Sequence, residues 1–346
     1  HMQNEVGILK AAIYAGKQKF NVQDIPVPEP EPTQVLVKIG LSAICGTDVH
    51  AFMYDLAPPG TVLGHEFTGT IVQTGNDVKR WKEGDRVVGG GGEPPPGEEP
   101  PVYSHPRYNY RKMGFIQTQT RAYAEYILME EWQPINIPSG VSDRAAAMCE
   151  PAAVAVRAIR NSNLKLGDSV GIIGGGPIGL LVLQSAVAAG ASEVYLSEPS
   201  DLRQNLAKKL GASAVYSHLD CDVSTEIVKA TDGIGPDVVF DCAGFPATLD
   251  QAFETVKRNG QVVLVAVPWE DMPLRPADWM AREMFFKASW GSRPENWHTA
   301  LNLMKSGAIN VDLMVGENKY SKLDDIQSVF EGLMKPTNEG QMIIEM

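Results

Sequence analysis

"DSVGIIGGGPIGLLVLQSAVAAGA", residues 168–191, sets a short β-branched run against a glycine turn and then a long apolar stretch. Val170 to Ile173 reads as a buried strand. The helix that follows opens at Pro177, which suits a first helical turn because no N–H partner is needed there. Between them Gly174, Gly176 and Gly179 form G-x-G-x-x-G. The first glycine permits the tight turn, the second lets a pyrophosphate approach the backbone, and the third lets helix and strand pack closely, while the helix N-terminus attracts an anion. Together with Pro177 and Ile178 they form a candidate dinucleotide-binding turn.

Working outward, the next strand, in "EVYLSEPSDLR", ends at Glu198, 24 positions after Gly174. A carboxylate there accepts hydrogen bonds from the adenosine ribose hydroxyls and repels a 2′-phosphate, which favours NAD. Arg203 tempers this preference, since a nearby guanidinium receives such a phosphate, and NADP stays possible. "DVVFDCAG" and "QVVLVAVP" continue the rhythm of apolar strand, turn and helix. Continuous β-branched runs alternating with helices predict a parallel sheet covered on both faces, so residues 152–291 read as a doubly wound α/β domain.

Residues 1–151 have another rhythm. "VLVKIGLSAI", "TGTIVQTG" and "WKEGDRVVG" are short alternating segments between turn signals, which predicts an antiparallel β-rich domain, a small barrel. Pro26, Pro28, Pro30 and Pro32 fit an extended edge. In residues 292–346, "NWHTALNLMKSGAI" reads as a one-faced helix and "GQMIIEM" as a last strand, and this tail is expected to return to the first domain. The fold class is therefore α/β, and no internal repeat is visible.

Composition narrows the function. The chain has 346 residues, 44% of them hydrophobic, and a net charge of −12. Its cationic residues do not cluster beyond pairs, which gives no footprint for nucleic acid or an anionic membrane. No run of about 18 apolar residues predicts a membrane span, and the first residues lack signal-peptide order, His1 and Met2 looking like an expression scar. Cys45, Cys149, Cys221 and Cys242 are too few and too scattered for a disulfide framework. A soluble, cytoplasmic protein with a small-molecule partner is expected.

"CGTDVH" at 45–50 and "GHEF" at 64–67 gather a thiol, two imidazoles and two carboxylates in the first domain, and "CEP" at 149–151 lies at the change of rhythm. Thiolate, imidazole and carboxylate around one open position suit a catalytic zinc ion. Taken singly, a cysteine in such a segment is more often core than ligand, and a histidine more often a satisfied side chain.

In this order and at these intervals, "CGTDVH", "GHEFTG", "EP" at Glu150 and Pro151, and "GGGPIG" resemble the zinc-dependent medium-chain dehydrogenases over nearly the whole chain. That family pairs a GroES-like catalytic domain with a Rossmann domain. The use of Glu150 rather than a cysteine is similar to the branch of sorbitol, butanediol and threonine dehydrogenases. The resemblance implies zinc ligands Cys45, His65 and Glu150, with Cys149 a competitor for Glu150. Glu66 matches a carboxylate that approaches the metal directly or from behind its ligands, and Asp48 would orient His65. Thr47 matches the hydroxyl that takes the alcohol proton, and His50 the outer end of the proton relay.

The implied reaction is hydride transfer between an alcohol and NAD(P): zinc lowers the pKa of the bound alcohol and so makes hydride departure feasible. The branch suggests a secondary alcohol, vicinal diol or polyol, oxidised to a ketone or aldehyde, and a homodimer or homotetramer. Phe52, Met53 and Tyr54 are candidate pocket residues, as are Trp269, Trp279 and Trp290, though aromatic residues serve equally as core. A zinc-independent quinone or enoyl reductase of the same fold has no need of Cys45, His65 and Glu150 together. A non-catalytic nucleotide-binding module would be expected to have lost one of these features.

"GGGGEPPPGEEPPVYSHPRYNY", residues 89–110, matches the region where many relatives carry a lobe of four cysteines around a structural zinc. Tyr110 stands where a cysteine would, and no cysteine occurs between Cys45 and Cys149. His105 and scattered glutamates do not make a closed structural site, so one catalytic zinc per chain is expected, with the stretch a proline-stiffened loop.

Overall fold

The computed structural model describes residues 7–100, 104–108, 122–315, 320–335 and 341–346. Tyr110, His1 and Met2 lie outside them. The chain divides into two compact units, one of His1–Cys149, Glu317–Thr337 and Gln341–Met346, the other chiefly Glu150–Gly316.

The first unit is built on antiparallel strands. Ile8–Gly16 and Lys19–Pro26 form a hairpin, joined by Thr61–Val62 into a three-stranded sheet. Its two-residue turn, Lys17 and Gln18, has positive φ at both positions, the twist a tight hairpin needs, with neither Gly nor Asn to announce it. Asp55 accepts from the Lys17 amide at 2.9 Å and from the Tyr14 hydroxyl at 2.5 Å, and so holds the turn. Burial beside that carboxylate pushes the Tyr14 phenol up to about 12.

In the second, seven-stranded sheet Gln34–Ala43 is central, with Glu66–Thr74 and Tyr126–Glu130 both paired to it. The last strand, Ile343–Glu345, pairs antiparallel with the end of Gln34–Ala43 and parallel with Tyr320–Lys322. Inward residues of these strands, among them Val35, Val37, Ile39 and Ile71, fill one core. A second core of aromatic rings, Tyr14, Phe20, Phe52, Tyr123 and Phe330, lies under the helix Gly46–Met53.

The second unit contains a six-stranded, wholly parallel sheet. Its order is Ala214–Tyr216, Glu193–Ser197, Ser169–Ile173, Val238–Asp241, Gln261–Leu264 and Phe285–Ala288. Numbered within the unit this is 3-2-1-4-5-6, the doubly wound arrangement, whose switch point falls between the first and fourth strands. The helix Pro177–Ala188 is buried from Gly179 to Ala186, which accounts for its nearly unbroken apolar sequence.

The helix Pro294–Ser306, expected in the returning tail, groups with this second unit. Trp297, Leu301 and Met304 are its buried face, and a polar clip continues the attachment. Gln184, itself buried, donates to the Leu180 carbonyl and Met314 Sδ and accepts from the Asn310 amide at 2.6 Å. A one-faced helix says that it packs, but not on which domain. Replacing Gln184 by Leu strands the Asn310 amide and is expected to cost about 1–3 kcal/mol in urea unfolding, with faster amide exchange around residue 310; unchanged exchange there would remove the clip.

Candidate metal centre and cofactor turn

The metal cluster begins with strand register. Ala43 pairs with Glu66, so the end of one strand lies beside the start of its neighbour, and Cys45 and His65 extend from those two ends. Cys45 then caps the helix Gly46–Met53, its sulfur accepting from the Thr47 amide at 3.4 Å. The free N–H groups of a helix start favour such an electron-rich atom. Gly64 has φ +99°, which turns the chain into His65. Glu150, joined in the chain to Cys149 of the first unit, lies in the first turn of the helix Cys149–Asn161.

Ligand atoms of Cys45, His65, Glu66 and Glu150 all lie within 4.8 Å of one another. Cys149, which competed with Glu150 in the sequence, is not in this group and is buried. One thiol, one imidazole and two carboxylates form a mixed donor set that suits zinc; four donors together would close a tetrahedral shell, so an exchangeable position requires one of the two carboxylates to yield it. The electrostatics agree with a cation there. Burial alone would depress the His65 imidazole, but the charges of Asp48 and Cys45 and hydrogen bonds to both outweigh it and hold the group well above its usual range.

Behind the ligands, Asp48 is buried at 3% exposure, with Oδ2 3.4 Å from His65 Nδ1 and accepting from the Tyr123 hydroxyl at 2.9 Å. Burial and the Asp48 charge push the Tyr123 phenol well up, so it remains a donor. Tyr123 was not singled out in the sequence, where no motif marks it. Thr47 is half-buried on the same helix. His50 stands in its last turn, its ring 6.0 Å from that of Tyr54, and burial lowers its pKa from the usual 6.5.

The expected aromatic pocket residues separate. Phe52 is fully buried against Tyr14, Phe20 and Phe330, a core residue rather than a pocket wall. Met53 packs on the same core, whereas Tyr54 is half exposed. Trp279 stacks on Phe253 with centroids 4.1 Å apart, and the Trp290 carbonyl accepts from Arg157 Nε.

In the second unit, Gly174, with φ +100°, donates its amide to the Ser197 carbonyl at 2.9 Å. A Cβ on Gly179 would lie 1.9 Å from the Gly174 carbonyl oxygen, and one on Gly175 would lie 2.9 Å from Glu198 Cγ. Gly175, a free position in the sequence motif, is thus more restricted than Gly176, where a Cβ would meet only Arg203 Nη1 at 3.9 Å. Gly176 caps the helix and Pro177 and Ile178 open it. Glu198 is 4% exposed; its carboxylate accepts from the amides of Gly175 at 3.3 Å and Ser200 at 3.0 Å, with Arg203 Nη1 at 3.5 Å.

Gly89 and Gly92 begin the proline-rich stretch in close contact: a Cβ on Gly89 would meet the Phe67 ring, and one on Gly92 the Trp132 carbonyl. No strand or helix is formed over residues 89–100.

Residues 31–139 match the alcohol dehydrogenase GroES-like domain and 177–306 the zinc-binding dehydrogenase domain. The chain is 33% identical to (R,R)-butanediol dehydrogenase of Bacillus subtilis, over 97% of its own length and 99% of that protein's. It is 33% identical to D-arabitol-phosphate dehydrogenase of Enterococcus avium, with 98% and 97% covered. A structure from Sinorhizobium meliloti 1021, described as a zinc-binding dehydrogenase bound to NADP, superposes with a TM-score of 0.86 at 30% identity, covering 98% and 100% of the two chains.

Gly179→Ala is expected to weaken NADH binding at least about tenfold, read by nicotinamide fluorescence, with zinc content unchanged, because the new methyl drives helix and turn apart. Equal affinity would show that the close approach is not required. The donor cluster, the glycine turn and these similarities together place the chain in the family of zinc-dependent medium-chain alcohol and polyol dehydrogenases.

Proposed function

We propose that the chain transfers a hydride between NAD and a secondary alcohol carried on a diol or polyol, using one zinc ion per chain. The observation that carries this reading is the mixed donor cluster, in which Cys45, His65 and Glu150 would hold the metal and Glu66 would exchange with water beside it. A zinc ion held there would supply the Lewis acidity that favours loss of the alcohol's proton and hydride, and a bound nicotinamide would be the hydride acceptor. Asp48 fixes the His65 ring so that Nε2 is left for the metal. The Thr47 hydroxyl receives the substrate proton and His50 passes it to water.

Glu198 supports NAD, since a carboxylate there opposes a 2′-phosphate; Arg203 at 3.5 Å is the group that would admit NADP. The diol or polyol reading follows the named substrates of the two relatives, butanediol and arabitol phosphate. The edge strand Phe285–Ala288, with Phe285 and Phe286 half exposed, supports a homodimer, or a tetramer built from it. The four cysteines are free thiols, which suits the cytoplasm.

The test is metal content and NAD-linked oxidation of a diol panel, before and after Cys45→Ser. One zinc per chain, lost with activity on substitution, is expected; NAD-linked activity without zinc favours the zinc-independent reductases.

His50 sets the acid side of the pH profile. Burial holds its pKa below 6.5, so the imidazole is neutral and able to accept a proton above that value and charges only as pH falls below it. His50→Gln should lower kcat by about 10²-fold and abolish the part of the acid limb below pH 6.5. An unchanged limb would take His50 out of the relay.

A further inference from the structure

We infer that Tyr123 is a positioning residue of the metal centre, locking both the turn that presents His65 and the carboxylate behind it. This rests on the reading of Cys45, His65 and Glu150 as ligands. Three independent contacts carry it.

The first is backbone. The Tyr123 amide donates to the Leu63 carbonyl at 2.9 Å and the Ala122 amide to the Gly64 carbonyl at 3.2 Å, while the Tyr123 carbonyl accepts from Ala12 at 2.9 Å. The residues just before His65 are thereby tied to a segment far along the chain. The second is steric. A Cβ on Gly64 would lie 2.9 Å from Tyr123 Cδ1 and 3.0 Å from Cε1, so the ring lies flush on the left-handed glycine that aims His65. The ring is itself immobilised, fully buried and edge-on to Phe330 at 5.8 Å.

The third contact is polar. Tyr123 lies in an aromatic and aliphatic core in which phenylalanine would fill the same volume. Its hydroxyl is the one polar atom the side chain must satisfy, and the partner is Asp48 Oδ2. The same oxygen is 3.4 Å from His65 Nδ1. A carboxylate at 3% exposure needs such donors to remain in place. With Nδ1 directed at Asp48, His65 is held as the tautomer whose Nε2 lone pair is available to a metal, and the phenol fixes the carboxylate that selects it.

Tyr123→Phe keeps the ring and the backbone contacts and removes only the hydroxyl. The test is zinc affinity of the full chain, by competition with a chromogenic chelator, together with the visible spectrum of the cobalt-loaded protein. The variant is expected to bind zinc about tenfold more weakly, to retain the thiolate-to-cobalt band and to show shifted d–d bands, with NADH affinity unchanged. In an Asp48→Asn background the same substitution should produce no further loss, because the hydroxyl acts through that carboxylate.

Wild-type zinc affinity in Tyr123→Phe, or an equal loss in the Asp48→Asn background, overturns the proposal while leaving the ligand reading intact. A wild-type chain that binds no zinc, or whose zinc is indifferent to Cys45→Ser, overturns the ligand reading and this proposal with it.

Discussion

Electron-rich side chains that gather closely repel one another unless a cation lies among them. At an effective dielectric near 20, two unit negative charges about 5 Å apart repel by on the order of 3 kcal/mol. Cys45, His65, Glu66 and Glu150 bring their donor atoms within 4.8 Å, and Asp48 stands close behind. A fold that holds such a group together for no purpose would be working against itself. Local structure holds the group together against this repulsion: strand register sets Ala43 against Glu66, a helix start receives the Cys45 sulfur, and a glycine turns the chain into His65.

The cofactor turn is governed by the opposite condition, the absence of atoms. Gly174, Gly175 and Gly179 each face backbone or side-chain atoms that a Cβ would strike. That emptiness lets the helix and strand close up, so that the helix N-terminus is presented to an anion. Glu198 packs under the turn and accepts hydrogen bonds from the Gly175 amide of the turn and the Ser200 amide beyond its own strand, so it is part of the scaffold.

Much of this was legible in the sequence because it depends on local pattern. The parallel sheet follows from apolar runs of strand length separated by helices, and G-x-G-x-x-G declares its role through its flanking strand and Pro177. Cys45, His65 and Glu150 could be singled out by residue type and motif. Features that depend on tertiary contact were not legible. Phe52, adjacent to the ligand helix in sequence, points into an aromatic core. The helix Pro294–Ser306 is one-faced in either domain, and the segment that follows it is tied by Gln184, a buried polar residue of the largely apolar helix Pro177–Ala188. Tyr123 gave no signal because its importance lies in Asp48 and Gly64, both far away in the chain. The hairpin at Lys17 and Gln18 uses positive φ without the residues that usually mark it, the Asp55 carboxylate providing the support instead.

The most direct measurement of the central claim is X-ray absorption at the zinc edge of the metal-loaded protein. A first shell of one sulfur with nitrogen and oxygen atoms making up the remainder is predicted, as Cys45, His65 and a carboxylate require. A shell of three or four sulfurs, or one without sulfur, would contradict the assignment of this cluster as the catalytic metal centre.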